Sequence, residues 1–171
     1  RVLLNNRGFN ESWRLQYLTD LSQLPDYDDG WGYYDRTAGA PVDEDGNPVL
    51  HQMPQSLEEA ETDGQRWRWC LEQAIEFNPR QANGVRSHYA DFLLNQFGVQ
   101  TMADFGWRFG RAASDDSKEA ESGTWALHTL GENETIARLA TGVKRFELPD
   151  EFNFIKIYQQ IVDQPQTGQG E

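Results

Sequence analysis

The sequence predicts a mainly α-helical domain, built from helical hairpins in a TPR-like array or an irregular bundle, with an irregular loop and β-hairpin insertion near residues 26–54. Two observations support this prediction. Apolar residues recur at helical spacing in several segments, and a stretch rich in glycine, acids and aromatics separates the first of them from the rest. We assign residues 1–163 to one domain and expect residues 164–171 to be a polar tail or linker.

A first helix is expected to begin after Asn10 and to end before Pro25, because proline has no backbone N–H to donate. The insertion follows. Within it, the run Asp43–Pro48 contains glycine and asparagine, which tolerate positive φ, so we expect a turn of a small irregular hairpin there. The apolar face of the first helix contains Trp13, Tyr17, Leu18 and Leu21.

The central part of the chain predicts an antiparallel helical hairpin. Ser56-Leu57-Glu58-Glu59 has the pattern of a capping box, which begins a helix by satisfying free backbone N–H groups. Asn78-Pro79-Arg80 breaks the helical spacing, and Gly98 ends the second helix. The first apolar stripe is Trp67, Cys70, Leu71, Ala74 and Ile75, and the second is Val85, Tyr89, Phe92, Leu93 and Phe97. We expect Trp67, Leu71, Tyr89 and Phe92 to be buried.

Two more helical units are predicted in the C-terminal third. One begins near Trp125, and the other begins at Pro149-Asp150, because proline and aspartate both suit the first turn of a helix. The first unit has the apolar stripe Ile136, Leu139, Ala140, Val143 and Phe146. The second is expected to turn inward Phe154, Ile155, Tyr158, Ile161 and Val162.

Acidic residues outnumber basic ones, 28 to 15, which gives a formal charge of -13. Such a charge repels nucleic-acid phosphate, so we expect no nucleic-acid partner. No apolar run approaches the roughly 20 residues needed to cross a bilayer, so we expect no membrane-spanning segment. The single cysteine excludes an internal disulfide and a multi-cysteine zinc site. The sequence begins at Arg1 without an initiator methionine, which predicts a fragment of a longer protein.

Few residues suggest catalytic chemistry. The three histidines, His51, His88 and His128, form no close metal-binding pair and accompany no nucleophile motif, so we expect each to be structural or solvated. We therefore predict that the protein is not an enzyme and has no catalytic residue, metal or cofactor.

Cys70 and Gln73 allow a different interpretation. Thioester proteins join a cysteine sulfur to the carbonyl of a glutamine three residues later, and Cys70-Leu71-Glu72-Gln73 has this spacing. Trp67-Arg68-Trp69, however, stands where such proteins normally have a glycine that frees the turn. Cys70 also continues a helical apolar stripe, which is typical of a buried cysteine acting as a small hydrophobe. A thioester domain remains an alternative.

Residues 26–35 form a segment rich in acids and aromatics, the acid–aromatic segment. Aromatic platforms beside carboxylates are typical of carbohydrate-binding surfaces, and clustered acids can supply oxygen ligands to a cation. A glycan- or cation-binding module is a second alternative, although we favour aromatics that pack this loop onto the helices. Asp43–Asn47 resembles the start of a calcium loop, but Pro54 stands where the bidentate acid is required, so we predict a plain turn. The candidate binding residues are Tyr27, Asp28, Asp29, Trp31, Tyr33 and Tyr34.

Eight segments of the chain, taken together, carry a family resemblance: Ser56-Leu57-Glu58-Glu59-Ala60, Asp63-Gly64-Gln65-Arg66-Trp67-Arg68-Trp69, Ala90-Asp91-Phe92-Leu93, Gln96-Phe97-Gly98-Val99-Gln100-Thr101, and residues 13–21, 126–130, 134–140 and 148–155. Together they resemble a helical region upstream of the macroglobulin domains in very large bacterial alpha-2-macroglobulin-family proteins. The resemblance implies an exported protein, periplasmic, cell-surface or secreted, that traps or inhibits proteases. The family's bait region has no counterpart here, and its thioester has none unless Cys70 and Gln73 are that pair.

We therefore predict a non-catalytic helical scaffold or interaction module within a large exported alpha-2-macroglobulin-like protein. Its expected partners are other proteins or neighbouring domains of the same chain. The thioester domain and the glycan- or cation-binding module stay open as alternatives.

Overall fold

The computed structural model describes residues 11–20, 22, 39–98 and 127–164. Its helices are α1 (Glu11–Arg14), α2 (Asp63–Phe77), α3 (Ala82–Phe97) and α4 (Phe154–Asp163), and its strands are β1 (Glu134–Leu139) and β2 (Gly142–Glu147). Short 3-10 helices lie at Pro79–Gln81, Leu127–Thr129 and Asp150–Phe152. About 49% of the described residues are helical and about 14% are in β structure. The fold is therefore a mixed α/β domain, and the predicted mainly α-helical class is wrong.

The first helix is shorter than predicted. It ends at Arg14, and the chain then runs along the start of α2. The carbonyl of Leu15 accepts the N–H of Gly64 at 2.8 Å, and the carbonyl of Tyr17 accepts the N–H of Asp63 at 2.7 Å. The first N–H groups of a helix have no partner within it. Residues 15–17 satisfy two of these groups instead of continuing α1.

Helix α2 begins at a capping motif that differs from the predicted one. The hydroxyl of Thr62 accepts the N–H of Gln65 at 3.2 Å, and the side-chain oxygen of Gln65 accepts the N–H of Glu61 at 2.7 Å. Both bonds satisfy backbone donors at the helix start. The predicted cap at Ser56 starts no helix. Its hydroxyl accepts the N–H of Glu59, but the residues around it form a non-helical turn.

Helices α2 and α3 confirm the predicted helical hairpin. Asn78 follows the last residue of α2, and Pro79 begins the 3-10 helix that leads into α3. Trp67 near the start of α2 packs edge-to-face on Phe92 in the second half of α3, with 4.9 Å between ring centres. Three of the four residues predicted to be buried are buried, and the fourth is half-buried: Trp67, Leu71 and Phe92, and then Tyr89.

Residues 134–147 form an antiparallel β-hairpin where the apolar spacing predicted a helix. Gly142 at the start of β2 has a φ of 120°, which glycine adopts without the steric cost that a side chain brings. The helical prediction fails here because β1 is buried on both faces. Thr135, Ile136 and Ala137 are buried in succession, and such a strand lacks the alternation of apolar and polar residues that identifies a half-buried one.

Ala40 joins the other edge of β1 through a parallel bridge to Leu139. The N–H of Ala40 donates to the carbonyl of Arg138 at 2.9 Å, and the N–H of Ala140 donates to the carbonyl of Ala40 at 2.8 Å. Gly39 has a φ of 70°, and a Cβ there would lie 2.7 Å from the Leu139 carbonyl oxygen. Only glycine fits this close approach of two backbones.

Part of the predicted insertion near residues 26–54 lies in the described residues, from 39 onward. Here Val42 and Pro48 form an antiparallel bridge around the turn Asp43–Asn47. Gly46 within the turn has a φ of 77°. This part of the insertion is a tight turn joined to β1 through Ala40.

Helix α4 begins at Phe154, later than predicted. Its cap is Asn153, whose side-chain oxygen accepts the N–H groups of Ile155 and Lys156 at 3.1 and 3.4 Å. Pro149 instead precedes a separate 3-10 helix. Ile155 and Val162, which were expected to face inward, are 52% and 77% exposed, so this part of the prediction is wrong.

One hydrophobic core joins α2, α3, β1 and α4 with the segments around Leu15 and Ala40. It holds in place a buried cluster around Arg68 and an open groove beside α4. Its members are Leu15, Ala40, Trp67, Leu71, Ala90, Phe92, Leu93, Phe97, Ala137, Leu139, Leu148, Phe152, Phe154 and Ile157.

Candidate functional site

Arg68 is a buried cation in α2, with only 7% of its surface exposed. Its guanidinium donates to the hydroxyl of Tyr89 and lies 3.4 Å from Oε2 of Glu151. It also lies 4.3 Å from the ring centre of Tyr89 and 5.1 Å from that of Phe152. A buried charge needs such compensation from carboxylate, hydroxyl and aromatic faces. Arg68 therefore ties α2 to α3 and to the 3-10 helix before α4.

Tyr89 and His51 beside Arg68 have shifted ionisation. Burial raises the pKa of the Tyr89 hydroxyl, so that it stays protonated at neutral pH. Burial, reinforced by the charge of Arg68, lowers the pKa of His51 to about 4, so that its imidazole is neutral. A general acid or base works best with a pKa near the operating pH. The pKa of Tyr89 lies far above neutral pH, and that of His51 lies well below it. The cluster around Arg68 is suited to holding elements together.

The space inside this cluster is small. A cavity of about 10 Å³ lies there, which is roughly the volume that holds one water molecule. A substrate of ordinary size needs a pocket of roughly 300 Å³ or more. The residues that line the small cavity are Val49, Leu50, His51, Trp67, Arg68, Tyr89, Phe92, Leu93, Phe97 and Phe152.

The other two histidines differ in environment. His88 packs edge-on against Trp67, with 6.2 Å between ring centres, and its buried Nε2 has no hydrogen-bond partner. His128 is exposed. Within residues 11–20, 22, 39–98 and 127–164, no three His, Cys, Asp or Glu side chains gather as a metal site requires.

The Asp43–Asn47 turn uses its own carboxylate to close itself. Oδ1 of Asp43 accepts the N–H groups of Asp45 at 3.0 Å and Asn47 at 2.8 Å. These bonds, led by the one from Asn47, lower the pKa of Asp43. The ammonium of Lys144 donates to the carbonyl of Gly46 at 2.7 Å. The arrangement is a hydrogen-bonded turn with a cation of the chain already against it.

Cys70 and Gln73 both lie within the continuous helix α2. Cys70 is a half-buried free thiol. The side-chain amide of Gln73 donates to Oε2 of Glu76 at 2.8 Å on the exposed side of the helix. The residues of the acid–aromatic segment lie outside the described residues: Tyr27, Asp28, Asp29, Trp31, Tyr33 and Tyr34.

A groove of about 360 Å³ lies on the surface between α3 and α4. Ile155 and Val162 stand seven residues apart, so they lie on the same side of α4, two turns from each other. That side is next to the buried one formed by Phe154 and Ile157. The groove residues are Leu94 from α3 and Phe154, Ile155, Tyr158, Gln159, Val162 and Asp163 from α4. We call this surface the α3/α4 groove.

One wall of the α3/α4 groove is fixed by a hydrogen bond. The hydroxyl of Tyr158 donates to Oδ1 of Asp91 on α3 at 2.5 Å. Burial, together with the hydrogen bond and charge of Asp91, raises the pKa of Tyr158 to about 12. The phenol therefore stays protonated and keeps this bond throughout the physiological pH range. The ring presents a constant apolar face to the groove.

Comparison of the chain with protein-family models, curated proteins and solved structures found no match. The function must therefore be inferred from the residues themselves. Among the described helices, none has the length and apolar character needed to cross a membrane.

The sequence did not identify either the buried cluster around Arg68 or the α3/α4 groove. Arg68 enters the sequence patterns only as part of Trp67-Arg68-Trp69, and nothing in that segment marks it as a buried cation. The α3/α4 groove had a clearer signal. The apolar residues of α4 span more than one side of the helix, which is wider than the single stripe needed to face a core.

Proposed function

We propose that this chain is a non-catalytic interaction module that binds an apolar helical segment of another protein, or of a neighbouring domain, in the α3/α4 groove. The observation that carries the proposal is the exposed apolar side of α4, with Ile155 and Val162 beside the half-buried Tyr158. A shallow groove between two helices is the common receptor for an amphipathic partner helix.

Energetics and rigidity both support this proposal. Full burial of a valine or isoleucine side chain contributes roughly 1.5–3 kcal/mol, and Ile155 and Val162 are mostly exposed in the isolated chain. The groove is built on α3 and α4, whose inner faces belong to the core. Little conformational entropy is therefore lost in the receptor when a partner binds.

We also propose that the module belongs to a large exported bacterial alpha-2-macroglobulin-like protein, on the resemblance of residues 56–69 and 90–101. Protease trapping would then be an activity of the whole protein, and the occupant of the groove would be a neighbouring domain. Sequencing the flanking regions tests this context. An export signal and downstream β-sandwich domains would support it, whereas a tandem catalytic domain would contradict it.

Binding is tested with displayed helical peptides of about 14 residues, or four turns. Apolar residues are fixed at positions i, i+3, i+4 and i+7, and the other positions are randomised. The library is selected on the folded chain. We expect recovered peptides to bind the native chain and to lose at least tenfold in affinity for Val162→Asp, which removes apolar surface and introduces a charge that would be buried.

The matched control is Phe77→Asp. Phe77 is 93% exposed at the end of α2 and does not line the groove. Circular dichroism of both variants checks that the fold is intact. Peptides that bind native chain and Val162→Asp equally, or that lose affinity only for Phe77→Asp, would contradict the proposed function, as would a selection that recovers no binder.

A further inference from the structure

We infer that the occupant of the α3/α4 groove is a basic amphipathic helix, an inference that rests on the proposed docking function. The first reason is the charge of the lining. Among the described residues that line the groove, Asp163 is charged and none is basic. Asp91 adds a second carboxylate directly behind Tyr158.

The second reason is the position of Asp163 in α4. It is the last residue of the helix, whose last turn contains no basic residue. A helix C-terminus carries a partial negative charge, so an aspartate there is electrostatically unfavourable, and a lysine or arginine is favoured instead. Arg86 of α3 already reaches the next residue, Gln164, and a cationic side chain of the partner, lying over this end of the groove, would add positive charge beside Asp163 itself.

The cations of α3 and α4 near these carboxylates already have other partners. Lys156 stands seven residues before Asp163, on the same side of α4, and donates to Asp150 at 2.5 Å. Arg86 of α3 donates to the side-chain oxygen of Gln164 at 2.9 Å. Neither cation donates a hydrogen bond to the carboxylate of Asp163, which lines the open groove.

The charge of the whole chain favours the same class of partner. Each copy carries a formal charge of -13, so a second copy of this chain or an acidic segment would be repelled. A basic helix would be attracted, which speeds its association at low salt. The geometry also predicts a spacing in the partner helix. Its apolar residues would meet Ile155 and Val162, and a lysine or arginine would lie within one turn of them at the Asp163 end.

The peptide selection also tests this inference, through the composition of the peptides it recovers. With lysine, glutamate, glutamine and serine equally represented at the randomised positions, we expect lysine to be enriched beside the apolar face. A recovered peptide should bind Asp163→Asn about two- to fivefold more weakly, the range for one exposed ion pair. Asp45→Asn removes the same charge from the 43–47 turn, which does not line the groove, and should change affinity much less.

The outcomes separate the inference from the function on which it rests. Groove binders that are neutral or acidic, or that ignore Asp163→Asn, would overturn the basic partner and leave the docking function standing. Analytical ultracentrifugation that shows a dimer dissociated by Val162→Asp would identify a second copy as the occupant and overturn the inference. Enriched lysine with affinity that falls as salt rises supports it.

Discussion

The imidazole of His51 lies directly against the α-carbon of Gly64. A Cβ built on Gly64 would be 2.3 Å from Cγ and Nδ1 of His51, which is far inside contact distance. The first turn of α2 therefore contains a glycine although alanine is a much better helix former. This contact holds the segment before α2 against the cluster around Arg68.

We expect Gly64→Ala to lower the free energy of unfolding by about 1–3 kcal/mol, the usual cost of overpacking. The clash outweighs the roughly 1 kcal/mol that alanine gains in helix propensity. Gly84→Ala is the matched control, because Gly84 is also helical and has nothing within 4 Å of its added Cβ. It should raise stability by about 0.5–1 kcal/mol. Urea denaturation of both variants measures the difference, and two equal stabilisations would refute the close packing of His51.

Stability should fall as the pH drops below 6.5, the ordinary pKa of histidine, towards the folded pKa of about 4 for His51. Between these values the unfolded chain binds a proton that native His51 does not. The free energy of unfolding therefore declines by about 2 kcal/mol between neutral pH and about pH 5. Glu134, whose pKa the Arg145 hydrogen bond lowers from 4.5 to about 2, adds to the loss only at lower pH.

Urea denaturation at a series of pH values checks the role of His51. His51→Phe should flatten the decline in stability between neutral pH and about pH 5, whatever its effect at neutral pH, because phenylalanine does not titrate. The control is His128→Gln, which removes an exposed histidine and should leave the decline unchanged. An undiminished decline in His51→Phe would exclude His51 as its source.

Thr135→Val should lower the free energy of unfolding by about 1–3 kcal/mol. The buried hydroxyl of Thr135 donates to the carbonyl of Phe97 at 2.5 Å. Phe97 ends α3, where carbonyls have no partner within the helix. Valine keeps the shape and strand preference of threonine but removes the donor. Thr141→Val, at an exposed turn position, should stay within about 0.5 kcal/mol of native. Equal values for the two variants in thermal or urea unfolding would contradict the importance of this bond.

The intact mass of the native chain should equal that of the full sequence, without loss of ammonia. A thioester between Cys70 and Gln73 releases ammonia and requires both residues to leave helical geometry, whereas both lie within α2. We expect no methylamine incorporation at Gln73. We also expect Cys70→Ala to change the mass by the substitution alone, in both folded and unfolded protein. A native mass that is short by one ammonia would instead establish the thioester alternative, provided that Cys70→Ala shows no such deficit.

The sequence predicts the α2–α3 hairpin well because both of its signals are local. The apolar stripes need only helical spacing, and Asn78-Pro79 interrupts the backbone hydrogen bonds where the chain turns. The β-hairpin is different, because burial on both faces depends on contacts with α3 and with Ala40, which lies far away in the sequence. Spacing alone then matches a helix as well as a strand.

The candidate site depends even more on tertiary structure. Ile155 and Val162 widen the apolar side of α4 beyond a single stripe, but nothing local shows which of its residues the core leaves uncovered. Arg68 becomes recognisable as a buried cation only when Tyr89 and Glu151 are brought to it from other elements. In both cases the residue type is visible in the sequence, and its exposure is set by packing.

The bridge between Ala40 and Leu139 has a consequence for the order of folding during synthesis. The two residues are separated by about 100 positions, and closing so long a loop costs conformational entropy before any contact repays it. The α2–α3 pair, with contacts between nearby residues, can form as soon as it leaves the ribosome. Residues 39 and 40 must wait until β1 has emerged. We expect ribosome-bound chains in which β1 is still inside the exit tunnel to stay sensitive to protease near Ala40, and chains long enough for β1 to have emerged to become resistant.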